Sequence, residues 1–456
     1  MCVFPRKSNF DKEIERKEGT RLKMEHTILF KGPMIHSVER DHVTVMERGA
    51  IIVQKGKILA VENIHTESEM MEIEAKYSPN EVVVLEKGQF LIPGLIDTHT
   101  HAPQFPNKGL GYDKTLLEWL NVYTFPLESK YEDENIALKV YTEVVISTLA
   151  CGTTSAVYFA TTHYNSSFKL AEIAFSKQQR AWIGRVNMDS NCPPNLIEDT
   201  EVSVIDTMSF IDAVQALNSD LVKPIITPRF AITSSASLLN QLGFIAEQYN
   251  LHIQTHLCET KEEIEEVAQM FPNSPTYTSV YKEAKLLTRK TILAHCVHLQ
   301  DSEMEMIKDA RCSIAHCPSS NINLRSGVCN VRRLLDKGIN VCLGTDVAGG
   351  NSSSILDEMR AALNTSITLS FQHEDYIPLS YHEVFYMATM GGAIALDMED
   401  KLGNFVVGKS FDALIVNSDV ETFGFNLDIS ELFQKFIYSG SKKSIARVYV
   451  DGNVVM

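Results

Sequence analysis

His99 and His101 stand two residues apart in the string Pro93-Gly94-Leu95-Ile96-Asp97-Thr98-His99-Thr100-His101. On an extended strand that spacing turns both rings to one face. Two imidazoles converging at a strand end can hold a metal ion, although an H-x-H pair alone also describes two solvent-facing histidines. Four further polar groups change the weight of that pair. His256 in I-Q-T-H-L, His295 in T-I-L-A-H-C, His316 in S-I-A-H-C-P and Asp346 in V-C-L-G-T-D each close an apolar, strand-like run. A single buried histidine is ordinarily structural and needs one partner; repeated placement at strand ends is not explained that way. Imidazole plus carboxylate, with no thiolate set, favours zinc or iron(II) over a softer metal. Glu259 follows His256 by three positions. If the strand stops at Leu257, the Glu259 carboxyl lies in the adjoining loop, where partial desolvation raises its pKa and suits proton transfer. The competing reading is an ordinary acid at a helix start, since Lys261-Glu262-Glu263 follows.

Those groups need a scaffold that brings distant strand ends together. The middle of the chain alternates apolar runs with helical patterns. The strand-like segments are Leu95–His101, Thr154–Ala160, Trp182–Met188, Pro224–Phe230, His252–Leu257, Thr291–Cys296, Ser313–Pro318 and Val341–Asp346. Ser235–Tyr249 carries Leu238, Leu239, Leu242, Ile245 and Ala246 at helical spacing, and Val328–Lys337 carries Val331, Leu334 and Leu335 before Gly338. Strand–helix alternation implies right-handed βαβ units and a parallel sheet, and eight strands suggest a closed α/β barrel of the (β/α)8 TIM type. A doubly wound open sheet is the structural alternative. In a barrel the C-terminal strand ends share one rim, where active sites sit.

Both ends of the chain have a different texture. Residues 50–61 read as two strands around Lys55-Gly56-Lys57; Glu81–Leu85 is a further strand. Near the other terminus, Asp412–Asn417 and Ala446–Val450 are strands, the latter turned by Asp451-Gly452. The sequence therefore divides into a flexible charged extension (1–23), a first part of a small β-sandwich-like domain (24–90), a catalytic barrel (91–400) and the remainder of the β domain (401–456).

Composition restricts the partners. The 456 residues are 44% hydrophobic and 22% charged, ordinary for a globular protein, and Lys+Arg 42 against Asp+Glu 58 gives a net charge of -16. Nucleic acid and anionic membrane are disfavoured by long-range repulsion. No apolar run reaches the roughly 18 residues of a membrane span. The first 23 residues, rich in Lys, Arg, Asp and Glu, resemble neither a secretory signal nor a mitochondrial presequence. Nine cysteines without a C-x-x-C pair read as buried free thiols in a reducing cytosol.

The strings P-G-L-I-D-T-H-T-H, T-H-x-x-E (Thr255–Glu259), Ala294-His295, A-H-C-P-S-S-N (Ala315–Asn321) and L-G-T-D (Leu343–Asp346) together resemble the amidohydrolase superfamily. Finer strings resemble its guanine deaminases: His101-Ala102-Pro103-Gln104, Leu116–Leu120, Tyr123-Thr124-Phe125-Pro126, Tyr158–Thr161, Thr227-Pro228-Arg229-Phe230, Tyr277–Tyr281 and Gly344–Gly350. The similarity runs from about Thr27 to the C-terminus. It implies one zinc ion held by His99, His101, His256 and Asp346, with water completing the site, and a homodimer. Two-metal members bridge their ions with a ligand such as a modified Lys from strand four. Here that strand ends Thr227-Pro228-Arg229-Phe230, and an Arg cannot ligate a cation.

The implied reaction is attack of activated water on C2 of guanine, giving xanthine and ammonia. Glu259 serves as acid and base, Asp346 accepts the water's proton, and His295 orients that water. His101, Gln104, Trp119, Arg229, Phe230, His256, Glu259 and Asp346 form the implied substrate pocket, with Arg229 donating to the O6 carbonyl, Gln104 pairing a ring edge, and Phe230 and Trp119 covering the flat ring. His316 falls outside the ligand set and is left as a wall residue.

Three other readings compete. Another mononuclear aminohydrolase, acting on a triazine, pterin or adenosine-like substrate, would need a different pocket from the one around Gln104, Trp119 and Arg229. A non-catalytic scaffold of the same fold would be expected to have lost ligands. A cytidine-deaminase-type zinc fold needs H-x-E with P-C-x-x-C; His65-Thr66-Glu67 fits the first half, and no P-C-x-x-C occurs.

Overall fold

Period-two strands at both termini fold back on each other, and the strand–helix alternation between them closes into a barrel. The computed structural model describes residues 26–418 and 424–456. The charged extension lies outside the described residues.

The first five strands are β1 (Thr27–Glu39), β2 (His42–Gln54), β3 (Lys57–Asn63), β4 (Glu81–Val84) and β5 (Gln89–Pro93). Lys55 and Gly56 join β2 to β3 with φ of 52° and 76°, a tight turn whose second position suits glycine. The barrel strands are β6 (Leu95–His101), β7 (Thr153–Phe159), β8 (Arg180–Gly184), β9 (Val186–Asn187), β10 (Val222–Pro228), β11 (His252–Leu257), β12 (Thr291–His295), β13 (Ser313–His316) and β14 (Asn340–Leu343). The chain ends with β15 (Ala413–Asn417), β16 (Ile445–Val450) and β17 (Asn453–Val454).

The terminal strands make one 8-stranded sheet in the order β17-β16-β15-β5-β1-β2-β3, with β4 beside β1. The β15–β5 pairing, Ala413 opposite Pro93 through Asn417 opposite Gln89, is the seam between the two ends of the chain. Arg180 ties this sheet to the barrel: its Nε and Nη2 donate to Asp412 Oδ2 and Oδ1 at 3.0 and 3.1 Å, both side chains buried. Phe30, Phe411 and Tyr449 pack tilted and edge-on in the sheet's own core, separate from that of the barrel.

The second sheet runs β6-β7-β8-β10-β11-β12-β13-β14 with parallel pairing, β9 continuing the β8 edge against β10. Every residue of β6, β7 and β12 is buried, as expected where helices cover one face and the barrel interior the other. Between β14 and β6 the barrel is closed by side-chain hydrogen bonds and one backbone hydrogen bond. Thr98 Oγ1 donates to the Leu343 carbonyl at 2.8 Å, Asp346 N donates to the His99 carbonyl at 2.8 Å, and Asp97 Oδ2 accepts from Thr345 Oγ1 at 2.5 Å. Gly344 permits this approach, since a Cβ there would lie 2.7 Å from His99 Cβ.

All the expected barrel strands form, most with ends shifted by one to three residues; the expected Trp182–Met188 run is broken into β8 and β9. The helix expected from Ser235 runs Ala236–Tyr249, with the Ser235 hydroxyl accepting from Leu238 N. The helix expected from Val328 starts only at Val331, because Asn330 caps it by accepting from Arg333 N. His65-Thr66-Glu67 opens the surface helix Glu67–Tyr77, with Thr66 as its N-cap. Among the described residues no helix is long and apolar enough to cross a membrane.

Candidate active site

The rim at the C-terminal ends of β6, β11, β12 and β14 gathers five polar side chains into one buried cluster. One ligand atom each from His99, His256, His295 and Asp346 lies within 4.8 Å of the others. His101 joins them: its Nε2 is 3.3 Å from Asp346 Oδ1 and 3.1 Å from His256 Nε2. His99 Nε2 is also 3.3 Å from Asp346 Oδ1. The opposite carboxylate oxygen, Oδ2, faces His295 Nε2 at 3.8 Å, and Glu259 Oε2 lies 3.5 Å from that same nitrogen. The two Asp346 oxygens thus face different partners, Oδ1 the rings of His99 and His101 and Oδ2 the ring of His295.

The cluster has the marks of a cation site. Burial holds the His99, His101 and His256 rings below the ordinary imidazole range, so they are neutral at pH 7. His256 Nδ1 meets the Arg229 carbonyl at 2.6 Å, which puts the proton there and leaves an Nε2 lone pair facing His101 Nε2. Both ring nitrogens of His99 and Nδ1 of His101 are buried without a hydrogen-bond partner. Ring nitrogens left without partners around a buried carboxylate suit a cation as their common partner. Burial alone would raise the Asp346 pKa, but His99, His295 and His101 outweigh it and hold the carboxyl ionised. Asp97 anchors the ligand strand, accepting from His99 N at 3.2 Å and Thr345 N at 3.1 Å.

Glu259 lies just before the helix Lys261–Met270. Thr260 is that helix's N-cap, and Glu263 completes the capping box, so the ordinary helix-start acid is Glu263. Glu259 is buried, its Oε1 accepts from Ser326 Oγ at 2.8 Å, and burial pushes its pKa up to about 7. Burial would depress His295, but Glu259 and Asp346 raise its pKa, and its Nδ1 lies 2.9 Å from Asn321 Oδ1.

A cavity opens over this cluster, lined by the expected His101, Gln104, Trp119, Arg229, Phe230, His256, Glu259 and Asp346, with His295, Leu116, Leu120 and Leu324. Trp119 is fixed by its indole N–H, which donates to the Leu110 carbonyl at 2.8 Å. His316 is buried in the barrel wall but does not line the cavity, and burial lowers its pKa to about 3.

Residues 90–455 match the amidohydrolase family model. The chain belongs to the amidohydrolase family. It is 42% identical over 448 residues to a protein named guanine deaminase from Rattus norvegicus, covering 95% of this chain and 97% of the relative. A guanine deaminase from Dictyostelium discoideum is 40% identical over 439 residues, covering 94% and 98% of the two chains. A crystal structure of guanine deaminase from C. acetobutylicum with bound guanine in the active site superposes with a TM-score of 0.89 at 36% identity, covering 94% of this chain and 100% of that one.

Within this amidohydrolase fold, four site residues have no role in the sequence reading: Asp97, Glu128, Asn321 and Ser326. Asp97 and Asn321 stand inside quoted strings, so a signal was present without a role. Glu128 and Ser326 had no local signal, because their partners Arg229 and Glu259 are 101 and 67 positions away.

Proposed function

We propose that this chain hydrolyses guanine to xanthine and ammonia, using one zinc ion held by His99, His101, His256 and Asp346. The observation that carries this reading is the single cavity in which a buried Glu259–His295–Asp346 group faces the donors of Arg229 and Gln104. The nearly full-length relatives of that name support it. Three imidazoles and a carboxylate suit zinc, and zinc bound here would supply a water of lowered pKa, available as hydroxide near neutral pH.

The chain's own residues do the rest. Arg229 donates to O6 and Gln104 pairs with a ring edge, which sets the purine with C2 toward the cluster. Phe230 and Trp119 cover its faces and exclude bulk water. Asp346 accepts the proton of the attacking water through its Oδ2 side, and His295, held by Asn321, orients that water. A C2–O bond forms, and Glu259 gives a proton to N3 as the ring loses aromaticity. Glu259 then takes up the proton left by the water and delivers it to the amine, the C2–N bond breaks, and ammonia leaves. A carboxyl with a pKa near 7 can give and take protons with little cost at neutral pH.

The enzyme works as a homodimer in the cytosol. Light scattering is expected to give the mass of two chains, and a single-chain mass at micromolar concentration overturns the dimer. The reaction is tested by incubating purified protein with guanine, adenine, cytosine and a pterin while measuring ammonia. Ammonia from guanine far ahead of the others is expected; preferential release from another heterocycle overturns the assignment.

A further inference from the structure

We infer that Glu128 is a specificity-determining positioning residue: it fixes both Arg229 and Gln104 in the orientation that reads the oxo edge of the purine. This rests on the guanine reading above. Glu128 ends the short helix Phe125–Glu128 and is buried, 1% exposed. It does not line the cavity, whereas Arg229 and Gln104 do. Its carboxylate accepts from Arg229 Nη1 at 2.7 Å through Oε2 and from Arg229 Nη2 at 3.2 Å through Oε1. The same Oε1 accepts from Gln104 Nε2 at 3.0 Å.

Each contact removes a freedom that would blur recognition. A guanidinium gripped by both oxygens of one carboxylate cannot rotate about its last bond. Arg229 Cζ also lies over the Phe125 ring, 5.2 Å from its centroid, a cation–π contact that further limits its movement. Gln104 carries an amide whose oxygen and nitrogen could exchange places. Glu128 accepts only, so it holds the NH2 end, and Ala348 N donates to Gln104 Oε1 at 3.3 Å. The amide orientation is therefore settled from both ends. The pairing also cancels the Arg229 charge, so the cavity offers directed donors without a net cation, which suits a neutral oxo-purine over an anion. A site built to hydrogen-bond an oxygen discriminates strongly against the analogue lacking it, provided the donors cannot turn away.

The test compares guanine with 2-aminopurine, which keeps the amine at C2 and lacks O6. Glu128→Gln keeps the size of the side chain but can turn a donor toward Arg229 and Gln104. The expected result is a fall of about 10- to 100-fold in kcat/KM for guanine, carried mainly by KM. 2-Aminopurine should change by less than about threefold, with metal content as in the wild type. In an Arg229→Ala background the additional loss from Glu128→Gln should be clearly smaller than in the wild type, because of the two side chains it positions only Gln104 remains. Glu128→Asp, which keeps the charge and withdraws it by one methylene, should give a smaller loss of the same pattern, and it provides the reading should Glu128→Gln not fold. Equal losses on both substrates, or full additivity with Arg229→Ala, overturn the inference while leaving guanine deamination standing. A wild-type enzyme that releases no ammonia from guanine overturns both.

Discussion

The two halves of the cavity solve the same problem, burying polar groups, in opposite ways. On the side of Arg229, the residues Glu128, Arg229 and Gln104 satisfy one another with charge-assisted hydrogen bonds. On the rim side, His99, His101, His256 and Asp346 crowd together and leave ring nitrogens buried without partners. Buried polar atoms are rarely orphaned, so the second arrangement is complete only with something the polypeptide does not supply. The first half carries its own hydrogen-bond partners; the second leaves nitrogens that a cation can use.

That contrast breaks most visibly at Asp346. Asp346→Ala is expected to abolish turnover and loosen the metal together, as read by ammonia release and metal analysis on the same sample. A variant that keeps its metal and its rate removes Asp346 from the site. Glu259→Gln separates chemistry from metal binding: kcat should fall by about 10²- to 10⁴-fold with metal content unchanged. Near-normal kcat would remove Glu259 from proton transfer. On the other half, Arg229→Ala should lower kcat/KM for guanine by about 10- to 150-fold. It also leaves Glu128 buried and unpaired, so denaturant unfolding should show a loss of roughly 3–5 kcal/mol. Unchanged stability would mean that the pair is not closed in solution.

A third region gives a smaller effect and a control remote from the metal. In the terminal sheet, His36 Nδ1 accepts from Phe405 N at 3.2 Å, and burial, aided by Lys409, lowers its pKa to about 4. The unfolded chain takes up this proton near pH 6.5, whereas the folded chain resists it until about pH 4. Stability is therefore intact above pH 6.5 and is lost as pH falls through that window, by up to about 3 kcal/mol. His36→Asn keeps an acceptor and does not titrate, so its unfolding free energy should decline less over the window. An identical decline in both proteins would rule out His36 as the source.

How much of this was legible in the sequence follows from the range of each interaction. The barrel strands announce themselves as short apolar runs, and the metal-facing residues end those runs, so local pattern and fold rule together located them. The hairpin turns were legible because their chemistry is local. The helix Glu67–Tyr77 was not, since it buries only Met70 and has little apolar periodicity. The strand β1 was also missed; Gly32 and Pro33 interrupt its alternation, at the register shift between Gly32 and Met34. Arg229 ends an apolar strand, and the sequence offers its guanidinium only the substrate's O6 as an acceptor. The fold supplies Glu128 as well, and only tertiary structure could bring that acid to it.

The central claim, one cation completing the unsatisfied half so that guanine is deaminated, is tested most directly by measuring metal content and guanine turnover on one preparation before and after chelation. The expected result is close to one zinc per chain, xanthine and ammonia in equal amounts, loss of turnover as the zinc is withdrawn, and recovery when it is restored. Two tightly held ions per chain, or full turnover by metal-free protein, would contradict it.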